Sequence, residues 1–294
     1  MKTHIVVHLL PHEIDWFEWQ SLQFKIGSYY LNPEDKIIID TTLNLNLVDW
    51  KKSQIPKQFF IDKFNQIKKL WDWAEIQFVI DDDNKCMGCD DKRREAVRST
   101  TSDNILYLDC DVIFKPEHFF YLIESSKKIN IDYYVISPEI MKMWDNSWDS
   151  LVNKNFINLS PNLERYRNVD PFKIVNYSFS GDVNLKSINY FKFGGGWFNL
   201  LSTKLLKLTD IPDSFGPYGV DDTYVMLCCD IMKNCNYNIQ QFVLEEVIVI
   251  ENFKYRHNPY QKYLHLIDKQ LEFKRRAEAN LLNELEKFKN KILC

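Results

Sequence analysis

Short apolar runs that end in carboxylates alternate with helical stretches through the first 115 residues of the chain. Asp40 closes the second run, Asp82 follows the third, and Asp109 follows the fourth. Runs rich in β-branched and aromatic residues predict buried strands, and apolar residues three or four apart predict helices between them. The predicted strands cover residues 3–10, 36–41, 75–80 and 104–108, and the predicted helices cover residues 13–30, 59–73 and 90–99.

This repeated order of strand and helix is the pattern of an open α/β sheet. In such sheets, ligands bind beyond the carboxyl ends of the strands. The acids at those ends therefore favour a binding site there, and residues 1–115 are predicted to form a nucleotide-binding half.

The rest of the chain is less regular. Residues 133–175 predict an extended acceptor-side region, residues 199–206 a helix, residues 243–250 a strand, and Asp221 the start of a further helix. Residues 116–262 are assigned to an acceptor-binding half of the same domain. In residues 263–294, apolar positions at helical spacing among many charges predict a long amphipathic C-terminal helix that docks on its own domain or forms a homo-oligomer.

Composition narrows the class of protein. The 294 residues are 45% hydrophobic and 15% aromatic, which is enough for one large core. A net charge of -4 gives no basic face for nucleic acid. The seven cysteines, with Cys228 and Cys229 adjacent, do not form a paired disulfide framework. We therefore expect a cytoplasmic protein with no integral membrane segment and no cleaved leader.

A D-x-D sequence follows the fourth predicted strand. Because side chains alternate along a strand, Asp109 and Asp111 are expected on one face. Hard oxygen ligands in that arrangement suit Mg²⁺ or Mn²⁺ on a diphosphate. Two solvated acids at the start of a loop are an equally good interpretation of this motif alone.

Three further motifs follow in order. Phe193-Gly194-Gly195-Gly196-Trp197 contains three of the eight glycines, and Tyr218-Gly219-Val220-Asp221-Asp222 places two acids at a predicted helix N-terminus, where the helix dipole favours them. Tyr255-Arg256-His257 follows the last predicted strand. Taken singly, these motifs are equally typical of a tight turn, a helix cap and a structural histidine.

In this order the four motifs resemble those of inverting GT-A glycosyltransferases, especially the β-1,4-galactosyltransferase and chondroitin-polymerase-like branches. The resemblance covers roughly residues 1–260. It implies a Rossmann-like, mixed and mostly parallel sheet flanked by helices, and a metal-dependent transfer of a hexose or N-acetylhexosamine from a UDP-sugar to a hydroxyl of a glycan or related acceptor.

The resemblance also implies residue roles. Asp111 and His257 would hold Mn²⁺ or Mg²⁺, with Asp109 completing the metal site beside the ribose. Asp222 would be the general base that deprotonates the acceptor hydroxyl. The remaining implied contacts are Asp221, Tyr218 and Trp197 to the acceptor, and Asp40, Asp82, Arg93, Arg94, Gly195 and Gly196 to the nucleotide sugar.

This sequence departs from the galactosyltransferase pattern at two positions. Lys254 stands where those enzymes carry a methionine ligand, and Asp221 is one methylene shorter than the usual glutamate. The coordination shell and the acceptor preference are therefore expected to differ from those of that family.

Other functions stay open from the sequence. Asp109 also resembles the nucleophile of haloacid-dehalogenase-type phosphohydrolases, although three predicted strands precede it here. A retaining GT-A enzyme is a second alternative, and a non-catalytic binding protein is a third, weaker one. Cys86 and Cys89 form a lone C-x-x-C, which lacks the two further ligands of a zinc site.

Overall fold

The structure is a computed structural model that describes residues 1–143, 163–165, 184–189, 198–252 and 267–293. In these residues ten strands form one sheet, with the order β3-β2-β1-β4-β9-β6-β10-β5, while β7 pairs with β6 and β8 with β10. The strands are β1 Lys2–Leu9, β2 Lys36–Asn44, β3 Glu75–Asp81, β4 Asn104–Leu108, β5 Val112–Ile113, β6 Tyr133–Met143, β7 Leu163–Arg165, β8 Leu185–Ile188, β9 Phe198–Ser202 and β10 Ile239–Glu251.

The first four strands in the sheet, β3, β2, β1 and β4, are parallel to one another. Strand β9 runs antiparallel between β4 and β6, and β6 and β10 are again parallel. The mixed, mostly parallel sheet predicted from the sequence is therefore present. All five residues of β4 are buried, as expected for a strand covered on both faces.

Helices flank the sheet, and the last of them is long. They are α1 Ile14–Ser28, α2 Lys57–Lys68, α3 Cys89–Ser99, α4 Pro116–Ser126, α5 Thr203–Thr209, α6 Asp221–Asn234 and α7 Ile267–Leu293. Short 3₁₀ turns occur at Pro11–Glu13, Lys69–Trp71 and Asp213–Phe215. The predicted C-terminal helix is confirmed in α7. None of the described helices combines the length and apolar content that crossing a bilayer requires.

Two predictions about local structure were wrong. Asp40 lies in the middle of β2 rather than at its end, because pairing with β1 and β3 extends that strand to Asn44. Residues 199–202 belong to β9, not to a helix, since β4 and β6 both supply backbone partners. Residues 133–143, the start of the region predicted to be extended, form β6.

Helix α7 packs directly against the loop that precedes α6. A Cβ atom on Gly219 would come within 2.5 Å of the Ala277 Cβ. Gly219 is therefore needed for close approach of the loop to the helix.

Replacing Gly219 by alanine is expected to destabilise the protein by about 1–3 kcal/mol, the usual cost of overpacking. Urea unfolding of Gly219→Ala measures this loss. The double variant Gly219→Ala/Ala277→Gly should recover part of it, because the second change removes the clashing methyl group. Equal stability of Gly219→Ala and wild type would contradict the contact.

Candidate active site

The D-x-D sequence lies on the turn between β4 and β5, at the carboxyl end of the parallel strands. The amide of Val112 donates to the Asp109 carbonyl oxygen at 3.3 Å. The side-chain amide of Gln20, fully buried on α1, donates to the carbonyl oxygens of Asp109 and Val112 at 2.9 Å each. The backbone amide of Asn252, just after β10, donates to the Asp111 carbonyl oxygen at 2.6 Å. The turn is thus fixed from two sides.

Arg93 links this turn to the start of α6. Its Nη2 donates to Asp109 Oδ1 at 2.6 Å, and its Nη1 donates to the Asp221 carboxylate at 3.0 and 3.3 Å. The guanidinium also lies over the Tyr107 ring, with Cζ 4.6 Å from the centroid. Arg93 is only 4% exposed, so this ion pair operates in a medium of low dielectric.

Three consecutive basic side chains of α3, Lys92, Arg93 and Arg94, are buried rather than solvated. Lys92 is buried and pairs with Asp40 at 2.6 Å. Arg94 donates to the backbone carbonyls of Ile211, Pro212 and Gly216, so its donors hold that loop. The structure therefore does not support the predicted contact of Arg94 with the nucleotide sugar. Arg93 binds the carboxylates of Asp109 and Asp221.

Asp90 was not among the residues selected from the sequence, yet it ties the start of α3 to the loop before α6. Its amide donates to the Pro217 carbonyl, and its Oδ1 accepts the Gly219 amide, both at 3.0 Å. Burial, together with the charge of Asp221, raises the pKa of Asp90 well above its usual range. The only sequence signal was its place in the first turn of a predicted helix, which indicates a cap.

Asp222 occupies the second position of α6 and is 8% exposed. Its Oδ1 accepts the backbone amide of Thr223 at 2.6 Å. Burial and the charge of Asp221 raise the pKa of Asp222 to about 7, against the opposing charge of Arg93. A carboxylate with such a pKa holds and releases a proton near neutrality, as a general base must.

Tyr218 and Asp221 lie where the sequence predicted, immediately before and at the start of α6. Tyr218 is partly exposed, whereas Asp221 is buried and bound by Arg93. Asp221 is therefore the counter-ion of Arg93 in this structure, and its contact with the acceptor stays a prediction.

A cavity of about 520 Å³ lies beyond the ends of β2 and β3. Asp82 lines it and pairs with Lys57 at 2.5 Å. Asp81, its neighbour, accepts backbone amides from Asp83, Lys85 and Cys86, and so shapes the loop that borders the cavity. Asp40 is instead engaged by Lys92 and His4, and so the structure does not support its predicted nucleotide contact.

His8, near the end of β1, was also not among the residues selected from the sequence. Burial, together with the charges of Arg93 and Lys92, lowers its pKa to about 3. The ring is therefore neutral near pH 7, and its Nε2 lies 3.2 Å from the Asn44 side-chain amide.

Four predicted site residues lie outside the described residues: Gly195, Gly196, Trp197 and His257. The metal set that includes His257 therefore stays a prediction. Asp109 and Asp111 are both carboxylates on one fixed turn, and the side chain of Asp109 is 36% exposed. Because Arg93 binds Asp109 Oδ1, Asp109 Oδ2 and the Asp111 carboxylate are the oxygens that would hold a hard divalent cation.

A different group of ligand atoms also lies close together in the described part of the chain. Atoms of Cys89, Asp90 and Asp221 are within 4.8 Å of one another. Arg93 donates to both oxygens of the Asp221 carboxylate, whereas it donates to one oxygen of Asp109. We therefore assign no metal to this group.

Known proteins resemble this chain in structure and not in sequence. The sequence matches no known family and no curated protein. A crystal structure described as a mycobacterial protein has a TM-score of 0.52 at 11% identity, over 97% of this chain and 75% of that chain. Glucosyl-3-phosphoglycerate synthase from Mycobacterium tuberculosis, bound to phosphoglyceric acid, has a TM-score of 0.51 at 12% identity, over 97% of this chain and 80% of that chain. The chain has the GT-A fold.

The same mycobacterial enzyme, solved with Mg²⁺ and uridine-diphosphate, also has a TM-score of 0.51 at 12% identity, over 97% of this chain and 79% of that chain. At these identities the similarity establishes the architecture and leaves the chemistry to the residues of this chain.

Proposed function

We propose that the protein is a metal-dependent glycosyltransferase that moves a hexose or N-acetylhexosamine from a UDP-sugar to a hydroxyl of a glycan or related acceptor. The observation that carries the proposal is Asp222, a buried carboxylate with a pKa of about 7, next to an Arg93 bridge that reaches Asp109. The GT-A fold, with a neighbour solved with Mg²⁺ and uridine-diphosphate, supports the donor class.

In this proposal, Asp222 accepts the proton of the acceptor hydroxyl as that oxygen attacks the anomeric carbon. One displacement of this kind inverts the anomeric configuration and needs no covalent nucleophile. Asp109, Asp111 and His257 are the proposed metal ligands, and the chemistry that a divalent cation supplies there is neutralisation of charge on the leaving diphosphate. The cavity beyond β2 and β3 is proposed to take the nucleoside.

Two alternatives are less well supported. A haloacid-dehalogenase-type phosphohydrolase carries its nucleophile after an early strand, whereas β1, β2 and β3 all precede Asp109 in this chain. A retaining transferase would not require a base at Asp222. The galactosyltransferase or chondroitin-polymerase branch stays a prediction, as does a cytoplasmic location.

Nucleotide binding is expected to depend on metal and on Asp111. Calorimetric titration with UDP, GDP and CMP, with and without Mn²⁺, should show tight binding of UDP only with Mn²⁺. Asp111→Ala should weaken it by tenfold or more, about 1.4 kcal/mol, the scale of losing a charged ligand. The control is Asp230→Ala, an exposed acid on α6. Absence of nucleotide binding, combined with hydrolysis of small phosphoesters, would transfer the assignment to a phosphohydrolase.

A further inference from the structure

The outer face of α7 carries an exposed row of leucines. Its inner face packs against the rest of the protein through Ala277, Leu281 and Phe288, all at most 3% exposed. Leu271, Leu282 and Leu293 are 46%, 64% and 61% exposed. Eleven residues correspond to about three turns of an α-helix, so each leucine is turned by about 20° from the next, and all three lie on one face within about 40°.

The spacing of this row is symmetric about its centre. Leu282 lies eleven residues from Leu271 and eleven from Leu293. If two copies of α7 pack antiparallel around a two-fold axis at Leu282, Leu282 meets its own copy. Leu271 then lies opposite Leu293 of the second copy, about 17 Å from the axis. The row is therefore complementary to itself, as an interface with two-fold symmetry requires.

The charges between the leucines agree with this arrangement. Arg275 of one copy and Glu286 of the second copy lie on the same side of the leucine row, about 4.5 Å apart along the helix axis. Glu278 and Lys289 of the second copy do the same on the other side. The symmetry repeats both pairs, so four opposite-charge pairs flank the leucines. A parallel pair would instead place each of these charges beside its own copy.

We propose that two copies of this chain form a homodimer in which their α7 helices pack antiparallel through Leu271, Leu282 and Leu293. The inner face of the same helix packs against Gly219, in the loop that leads to Asp221 and Asp222. Dimerisation would therefore stabilise the helix that holds this loop in place. The proposal rests on the helix alone and does not depend on the proposed activity.

Disulfide crosslinking tests the geometry directly, in a background of Cys235→Ser and Cys294→Ser. Leu282→Cys should crosslink to itself under mild oxidation. Leu271→Cys and Leu293→Cys should each stay uncrosslinked alone and should crosslink when mixed. Asn283→Cys, an exposed position 100° around the helix, is the control and should not react. Self-crosslinking of Leu271→Cys or Leu293→Cys, or no crosslinking of Leu282→Cys, overturns the proposal.

Sedimentation equilibrium tests the energetics in the unmodified chain. The wild type should show twice the monomer mass at micromolar concentration, and Leu282→Lys should raise the dissociation constant by about tenfold or more. Arg275→Glu should also weaken the dimer, and Arg275→Glu/Glu286→Arg should restore it. Because Leu282 is mostly exposed, unchanged thermal unfolding at low concentration shows that Leu282→Lys still folds. A monomer at all concentrations, or a dimer that Leu282→Lys does not change, refutes the interface.

Discussion

Asp222→Asn is expected to lower kcat for sugar transfer by roughly 10²–10⁴-fold, the usual contribution of a positioned general base. The replacement has nearly the same shape, and its side-chain oxygen still accepts the Thr223 amide. Binding of UDP with Mn²⁺ should change little, because the described side-chain partner of Asp109 is Arg93, which this substitution leaves in place. The loss should therefore fall on kcat and spare donor affinity.

The matched control is Asp230→Asn, the same change at an exposed position farther along α6. It should leave kcat and donor affinity unchanged. Measurement of initial rates with a UDP-sugar, with the anomeric configuration of the product read by NMR, separates the alternatives. A retained configuration, or full activity of Asp222→Asn, would remove Asp222 from the role of base.

The pH profile provides a second measure of the same group. Asp222 must be deprotonated to accept a proton, and its pKa in the folded protein is about 7. In wild type, kcat/KM should therefore fall about tenfold per pH unit below 7 and reach a plateau above it. In Asp222→Asn the residual activity should lose this dependence.

The sequence predicted correctly those parts of the site that depend on residues close together along the chain. Residues 104–108 form a short apolar run followed by acids, and this pattern placed Asp109 at a strand end in the sheet. Asp221 and Asp222 were placed at a helix N-terminus because acids stabilise that end of a helix. Each inference needed only residues within a few positions of one another.

The parts that were missed depend on contacts between distant segments. Arg93 and Asp221 are separated by 128 positions, and no local pattern links them. Residues 199–202 have apolar spacing compatible with a helix, but β4 and β6 flank them and make them a strand. Asp40 was placed at a strand end because the apolar run stops there, although strand pairing continues to Asn44. Tertiary pairing overrides local propensity in both segments.

Arg93→Met is expected to be the most destabilising single change in the site, by about 3–5 kcal/mol, because it leaves buried carboxylates without their cation. Asp221 is only 4% exposed as a side chain, and its described cationic partner is Arg93. Urea unfolding should show the loss. Arg98→Met, the same change on the same helix, removes a surface pair with Asp210 and should cost no more than about 1 kcal/mol.

The loss should grow as pH rises, and this separates an electrostatic role of Arg93 from simple packing. Arg93 lowers the pKa of Asp90 and Asp222 in the folded state, so its removal makes the folded state hold their protons to higher pH. The free energy of unfolding of Arg93→Met should then fall more steeply than that of wild type between pH 5 and pH 8. Arg93→Met/Asp221→Asn should recover part of the loss, since it removes one unpaired buried charge. A loss that is independent of pH and unchanged by Asp221→Asn would show that Arg93 contributes by filling space alone.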